Sequence, residues 1–197
     1  MLKNINILLI RCAPAIETEI RSLLRASMQN GAIVDISKVR NMINKDSPVS
    51  VDDSEYLNAI AASYAPIASF LGAGYSPVVV LGAFSVDSMN SFIADYSGKG
   101  VVSVSLYVND DTLAHLLLKK KNRETHIRLH ATDTLVRRKN KRRLHYASLE
   151  STQVINRYIY ETRCQADVCI DMSALDADSV VAELLRSVNA LCNKEEA

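Results

Sequence analysis

The chain has 197 residues, 48% of them apolar, and its 23 Lys or Arg against 22 Asp or Glu leave a formal net charge of +1. This is an ordinary globular balance, large enough for one well-buried domain, and it excludes a low-complexity or disulfide-framework protein. The longest apolar runs, INILLI and VVVLGAF, fall far below the roughly 20 residues that cross a bilayer; with no secretory leader read at the N-terminus and four sparse cysteines, a cytoplasmic protein with reduced thiols and no membrane partner is expected.

Strand and helix patterns alternate along the chain. Ile5 to Ile10 reads as a buried strand. Ile16, Ile20, Leu23, Leu24 and Met28 then recur at helical spacing, which predicts a helix over 14–29 closed by Asn30-Gly31. Ala32 to Ile36 is a short second strand, with Ser37 the expected N-cap of a short helix carrying Val39, Met42 and Ile43. After the polar stretch KDSPVSVDDS, Asp52 and Glu55 form a potential capping box. The helix behind it carries Leu57, Ile60, Ala61, Tyr64, Ile67 and Leu71, with a kink or break expected at Pro66.

VVVLGAF is the third strand, continuously apolar as a central parallel strand should be. A short helix over 86–96 and the turn SGKG lead to the fourth strand, VVSVSLYV. A helix from Asp110-Asp111 through Leu118 follows, then a basic segment, a helix over 148–163 and the fifth strand, ADVCIDM. A last helix, capped by Asp176 or Asp178, places Val180, Val181, Leu184, Leu185, Val188 and Leu191 on one face. Five strands joined by helical crossovers predict a three-layer α/β sandwich, a parallel sheet with helices on both faces. Ligands of such sheets bind beyond the carboxyl ends of the strands.

The element order, with the strings ILLIRCAP, VDISKVR, PVVVLGAF and ADVCIDMSALDADSVVAELLRSV, resembles the P-loop kinases of small molecules. That group includes shikimate, gluconate and nucleoside monophosphate kinases and chloramphenicol phosphotransferase-like proteins. The resemblance spans nearly the whole chain as one domain, 1–197, with a lid-like basic segment at 119–147. It implies an ATP-dependent phosphotransferase using magnesium, with a phosphate loop of pattern Gly, four residues, Gly, Lys, Ser or Thr. Laid on this chain, the loop becomes Cys12, Ala13, Pro14, Ala15, Ile16, Glu17, Thr18 and Glu19, and no residue of the pattern is retained. Glycines let backbone N–H groups curl around a phosphate. Here Cβ atoms close the loop, Pro14 removes a donor, and Glu17 and Glu19 bring negative charge to the helix start, where a phosphate would bind. No ATP held in the usual way, and no resident cofactor, is therefore expected.

The resemblance also implies an Asp at the end of strand two that orients an acceptor hydroxyl, with an Arg three residues on. The Arg position is Arg40, but the Asp position is Ser37. Asp35 shares a strand side with Ser37 and could substitute for it, or serve as a strand-end turn residue. Arg40 could hold an anionic substrate or lie on the surface of its helix.

From Lys119 to His145 eleven basic residues face two acids, which leaves the rest of the chain at a net −8. Arg123, Arg128, Arg137, Arg138, Arg142 and Arg143 are candidates for gripping phosphate oxygens. The segment can be a solvated lid, a site for a phosphorylated ligand or nucleic acid, or a docking surface for an acidic partner. That partner could be a second copy of this chain or an active kinase-like relative. His126 and His130, four apart, lack the companion ligands of a zinc site. Cys164 and Cys169 flank the fifth strand and read as core packing. The reading is a binding, regulatory or scaffolding module on a kinase-like fold. The alternatives are a phosphotransferase with a non-standard phosphate site and a nucleic-acid or phosphorylated-ligand binder.

Overall fold

The computed structural model describes residues 5–43, 54–118, 152–174 and 177–195. Five strands form one sheet: β1 (Ile7–Arg11), β2 (Ala32–Asp35), β3 (Val78–Gly82), β4 (Val101–Tyr107) and β5 (Val168–Asp171). Their spatial order is β2-β3-β1-β4-β5, and every pairing is parallel. β1 is central, with Ile7 to Arg11 in register with Val78 to Gly82 on one side and Val101 to Ser105 on the other. All residues of β1 and β3 are buried, as expected of strands covered on both faces.

The helices are α1 (Pro14–Ser27), α2 (Ile36–Ile43), α3 (Ser54–Gly72), α4 (Val86–Asp95), α5 over 110–118, α6 over 152–161 and α7 (Ala177–Glu195). A one-turn 3-10 helix, Arg163–Gln165, joins α6 to β5. Right-handed crossovers put the β1-to-β2 connection on one face and the rightward connections on the other. Consistently, α1 packs on α7 while α2 packs on α3. The core joins both faces of the sheet, from Ile16 and Ile20 of α1 and Leu184 and Val188 of α7 to Tyr56, Phe84, Phe92 and Ile159 opposite.

Several local expectations are corrected. Helix α2 starts at Ile36, one residue before Ser37, and its cap is Asp35, whose Oδ1 accepts the Lys38 N–H at 3.0 Å. Asp outcompetes Ser here because it stands one residue before the first helical residue, where a side-chain oxygen reaches the third N–H. The helical run of α3 continues through Pro66. Its buried face is Tyr56, Ala59, Ile60, Ser63 and Ile67, whereas Leu57 is 49% exposed and Ala61 is also exposed. The inward stripe is thus rotated toward Tyr56. Cys164 and Cys169 are exposed, not core residues: Cys169 takes an outward position on the edge strand β5, whose burial alternates, and Cys164 lies on the 3-10 turn, which buries none of its residues. Gly74, at φ +84°, ends α3: the Tyr75 N–H reaches back to Phe70 O at 3.0 Å. The Asp52 capping box, the cap at Asp176 and the basic segment with its histidines and arginines lie outside the described residues, while Asp178 falls inside α7, one residue past its start.

Candidate functional site

The carboxyl ends of β1, β3 and β2 meet the starts of α1 and α2, and the expected phosphate loop lies there. Two residues, Cys12 and Ala13, separate β1 from α1. Both are fully buried. The Cys12 N–H donates to Gly82 O at 3.0 Å, so it is turned toward β3. Ala13 is the helix cap, with extended backbone (φ −68°, ψ 151°) and no side-chain cap hydrogen bond; Pro14 takes the first helical position, where its missing N–H costs little. Ala13 O accepts from the N–H groups of Ile16 (2.9 Å) and Glu17 (3.2 Å). The helix therefore begins at once, where the resemblance implies an open loop.

Glu17, only 3% exposed, points inward. Its Oε1 accepts the Ser37 hydroxyl at 2.9 Å. The two positions read separately as a lost phosphate loop and a lost acceptor-binding Asp thus touch each other. Asp35 is also buried; besides capping α2, its Oδ2 forms an ion pair with Arg21 of α1. Arg40 is 2% exposed, so the surface reading of that residue does not hold. Ala15 and Ile16 are buried, while Pro14, Thr18 and Glu19 are half-buried.

Residues not singled out in the sequence complete the site. Tyr56 of α3 is fully buried, its hydroxyl accepts the Ala83 N–H, and its ring meets Phe84 edge-on at 6.4 Å. A Cβ at position 82 would run into that hydroxyl and lie 3.0 Å from the Ile36 Cβ, which is why glycine stands there. Burial and the nearby Glu17 carboxylate push the Tyr56 phenol well up. The same causes, with Asp35, raise the Cys12 thiol. A neutral buried thiol is inert, so Cys12 packs and does not react.

Arg11, the last residue of β1, is fully buried. Its Nε donates to Phe84 O at 2.6 Å, Nη2 to the Thr162 hydroxyl at 2.5 Å and Nη1 to Thr162 O at 3.4 Å. The guanidinium also lies 5.0 Å from the centroid of the Tyr158 ring, and Tyr158 in turn accepts the Val86 N–H through its hydroxyl at 3.1 Å. Burial lowers its pKa. The cation is matched by the Phe84 carbonyl, by the Thr162 carbonyl and hydroxyl at the carboxyl end of α6, the negative end of the helix dipole, and by an aromatic face. Beside Arg11 in register, Ser105 Oγ is buried and makes no hydrogen bond.

Two cavities flank this filled region. One, of about 540 Å³, lies beyond the edge strand β2 and includes Arg21, Arg25, Asp35, Lys38, Met42 and Phe70 in its walls. The other, of about 460 Å³, lies past the ends of β4 and β5 and includes Tyr107, Asn109, Asp110, Arg157, Tyr160 and Asp171. Asn156 closes the second from below; its Nδ2 donates to Val108 O at 2.8 Å and its Oδ1 accepts the Val108 N–H at 3.4 Å. Among the described residues there is no cluster of three or more His, Cys, Asp or Glu arranged for a metal, and no helix long and apolar enough to cross a membrane.

No protein-family model matches the chain, and no curated protein does. Solved structures do match. A gluconokinase from Sinorhizobium meliloti 1021 superposes with a TM-score of 0.59 at 14% identity, over 98% of this chain and 96% of that one. The tunicamycin resistance protein of Deinococcus radiodurans gives 0.52 at 11%, over 93% and 95%. Shikimate kinase from Acinetobacter baumannii, solved with shikimate, gives 0.50 at 12%, over 96% and 95%. Likeness at such identities carries the fold, and the fold of this chain is P-loop kinase-like.

Proposed function

We propose that this chain, a kinase-like fold, is a binding, regulatory or scaffolding module that does not hold ATP in the usual way. One observation carries the reading: the Glu17 carboxylate is buried in the first turn of α1 and bonded to Ser37, at the position where the resemblance implies the last glycine of the phosphate loop. A nucleotide's phosphates would meet a negative charge there, and Pro14 cannot donate. Tyr56 and Arg11 support the same reading, because each spends its polar atoms on protein partners at the ends of β1 and β3.

Thermal unfolding with and without millimolar MgATP tests it. A ligand at 100 times its dissociation constant stabilises by about 2.7 kcal/mol, or about 5–10 °C in Tm for a chain of this size. The expected shift is under about 1 °C. A saturable rise of several degrees would favour the phosphotransferase reading instead. The concentration of eleven basic residues within 119–145 favours a second role, binding a phosphorylated ligand, a nucleic acid or an acidic partner. Affinity that falls steeply with salt would mark the first two, and a salt-sensitive self-association the third.

A further inference from the structure

Two cysteines outside the site described above stand together. The 3-10 turn Arg163–Gln165 carries Cys164, and β5 carries Cys169. Both thiols are exposed. The turn folds back so that Arg163 O accepts both the Ala166 N–H at 3.3 Å and the Cys169 thiol at 2.9 Å. Cys164 follows Arg163 directly, so the carbonyl that accepts the Cys169 thiol is the one bonded to the Cys164 amide nitrogen. Five residues of separation are thus closed by the turn, which brings the Cys169 thiol to the peptide group that joins Arg163 to Cys164.

We propose that Cys164 and Cys169 are a redox modification site, forming a reversible disulfide with a hydroperoxide as oxidant. The Cys164 sulfur attacks the terminal peroxide oxygen; the O–O bond breaks, an alcohol or water leaves, and Cys164 becomes a sulfenic acid. The Cys169 sulfur then attacks that sulfur, its proton leaves with the hydroxyl as water, and the S–S bond closes. Two thiols are oxidised by two electrons and one peroxide is reduced. Cys169 suits the second role: partial burial raises its thiol, so it holds its proton longer.

The pair lies against a cavity wall. The Arg163 guanidinium sits 4.2 Å over the Tyr160 ring and 5.8 Å from that of Tyr107, and its Nη1 donates to Tyr160 O at 2.6 Å. Both tyrosines line the 460 Å³ cavity. Closing the bond removes the thiol proton that Arg163 O accepts and shifts the turn that holds this stack. Exposed disulfides are the labile, regulatory kind.

Trypsin cuts after Arg163 and next after Arg186, so one peptide carries both cysteines. The full chain is treated with equimolar hydrogen peroxide, alkylated and digested. The expected peptide is unalkylated and lighter by two hydrogens, is restored by dithiothreitol, and is absent in Cys169→Ser, where Cys164 instead reports as sulfenic acid to a dimedone probe. Separate alkylation of both thiols after treatment, or bonds between chains only, would overturn the site. Because the chain has no Trp, near-ultraviolet circular dichroism reads the tyrosines: oxidation should change the wild-type signal and leave Cys169→Ser unchanged. A bond that forms without that change overturns the link to the cavity.

Discussion

Replacing Arg11 by Met keeps the length and apolar stem of the side chain and deletes its charge and donors. Phe84 O, which accepts Nε at 2.6 Å, sits on a fully buried residue and has no water to turn to. The Thr162 hydroxyl loses its 2.5 Å donor but keeps its own bond to Tyr158 O at 2.7 Å. A buried acceptor left unmatched costs about 1–3 kcal/mol. The opposing effect is release from dehydrating a cation, which makes some buried charges no better than an apolar isostere. Here the guanidinium is fully buried, but three protein acceptors and the Tyr158 ring already offset its dehydration. The acceptors win, and Arg11→Met should destabilise by about 2–3 kcal/mol. With a urea slope of about 1–3 kcal/mol/M, the midpoint falls by about 1 M. Thr162→Val removes the other end of the clamp, and the double mutant should show a coupling of about 1–2 kcal/mol. A variant as stable as the parent, or a coupling near zero, would refute the reasoning and make the arginine replaceable filler.

Ser37→Ala takes away the donor to Glu17 and should cost about 1.5–3 kcal/mol by urea unfolding, a hydrogen bond to a charged group being worth that much. Asp35→Asn keeps an oxygen to cap α2 and should retain most of the stability, whereas Asp35→Ala loses cap and ion pair and should fall a further ~1 kcal/mol; equal losses would separate the cap from the reading. Gly82→Ala should cost about 1–3 kcal/mol through overpacking on Tyr56, and adding Tyr56→Phe should recover part of it, as measured by thermal melting. Burial raises the phenols of Tyr56, Tyr64, Tyr96 and Tyr107, so the unfolded chain releases its tyrosine protons first as pH rises. Their contribution is intact below about pH 10, the ordinary phenol value, and is lost above it. Stability that stays flat to pH 11 would contradict this, and Tyr64→Phe should blunt the fall.

The sheet was legible because β1 and β3 are largely apolar runs, and α1 and α7 repeat with helical period. The site was legible only in part. Glu17, Asp35 and Arg40 stand out as charges near strand ends, but nothing in their spacing says that Glu17 turns inward to Ser37. Tyr56 was hidden because α3 is apolar nearly all round, so its stripe could be rotated by a residue without offending the pattern. Arg11 had a usable signal, a lone cation closing an apolar strand. Its partner Thr162, 151 residues away, depends on the turn that brings α6 back over β1.

The end of β1 is closed by side chains drawn from separate stretches of the chain: Arg11, Glu17, Tyr56 and Thr162. Changing any one of them strands a neighbour's polar atom in the interior. A lineage in this state is therefore held there as by a ratchet. Opening a ligand-sized space at the end of β1 would require several simultaneous replacements across four elements, while drift at the two outlying hollows meets no such barrier. New ligand preferences should accordingly arise at the flanks of this scaffold sooner than at its closed middle.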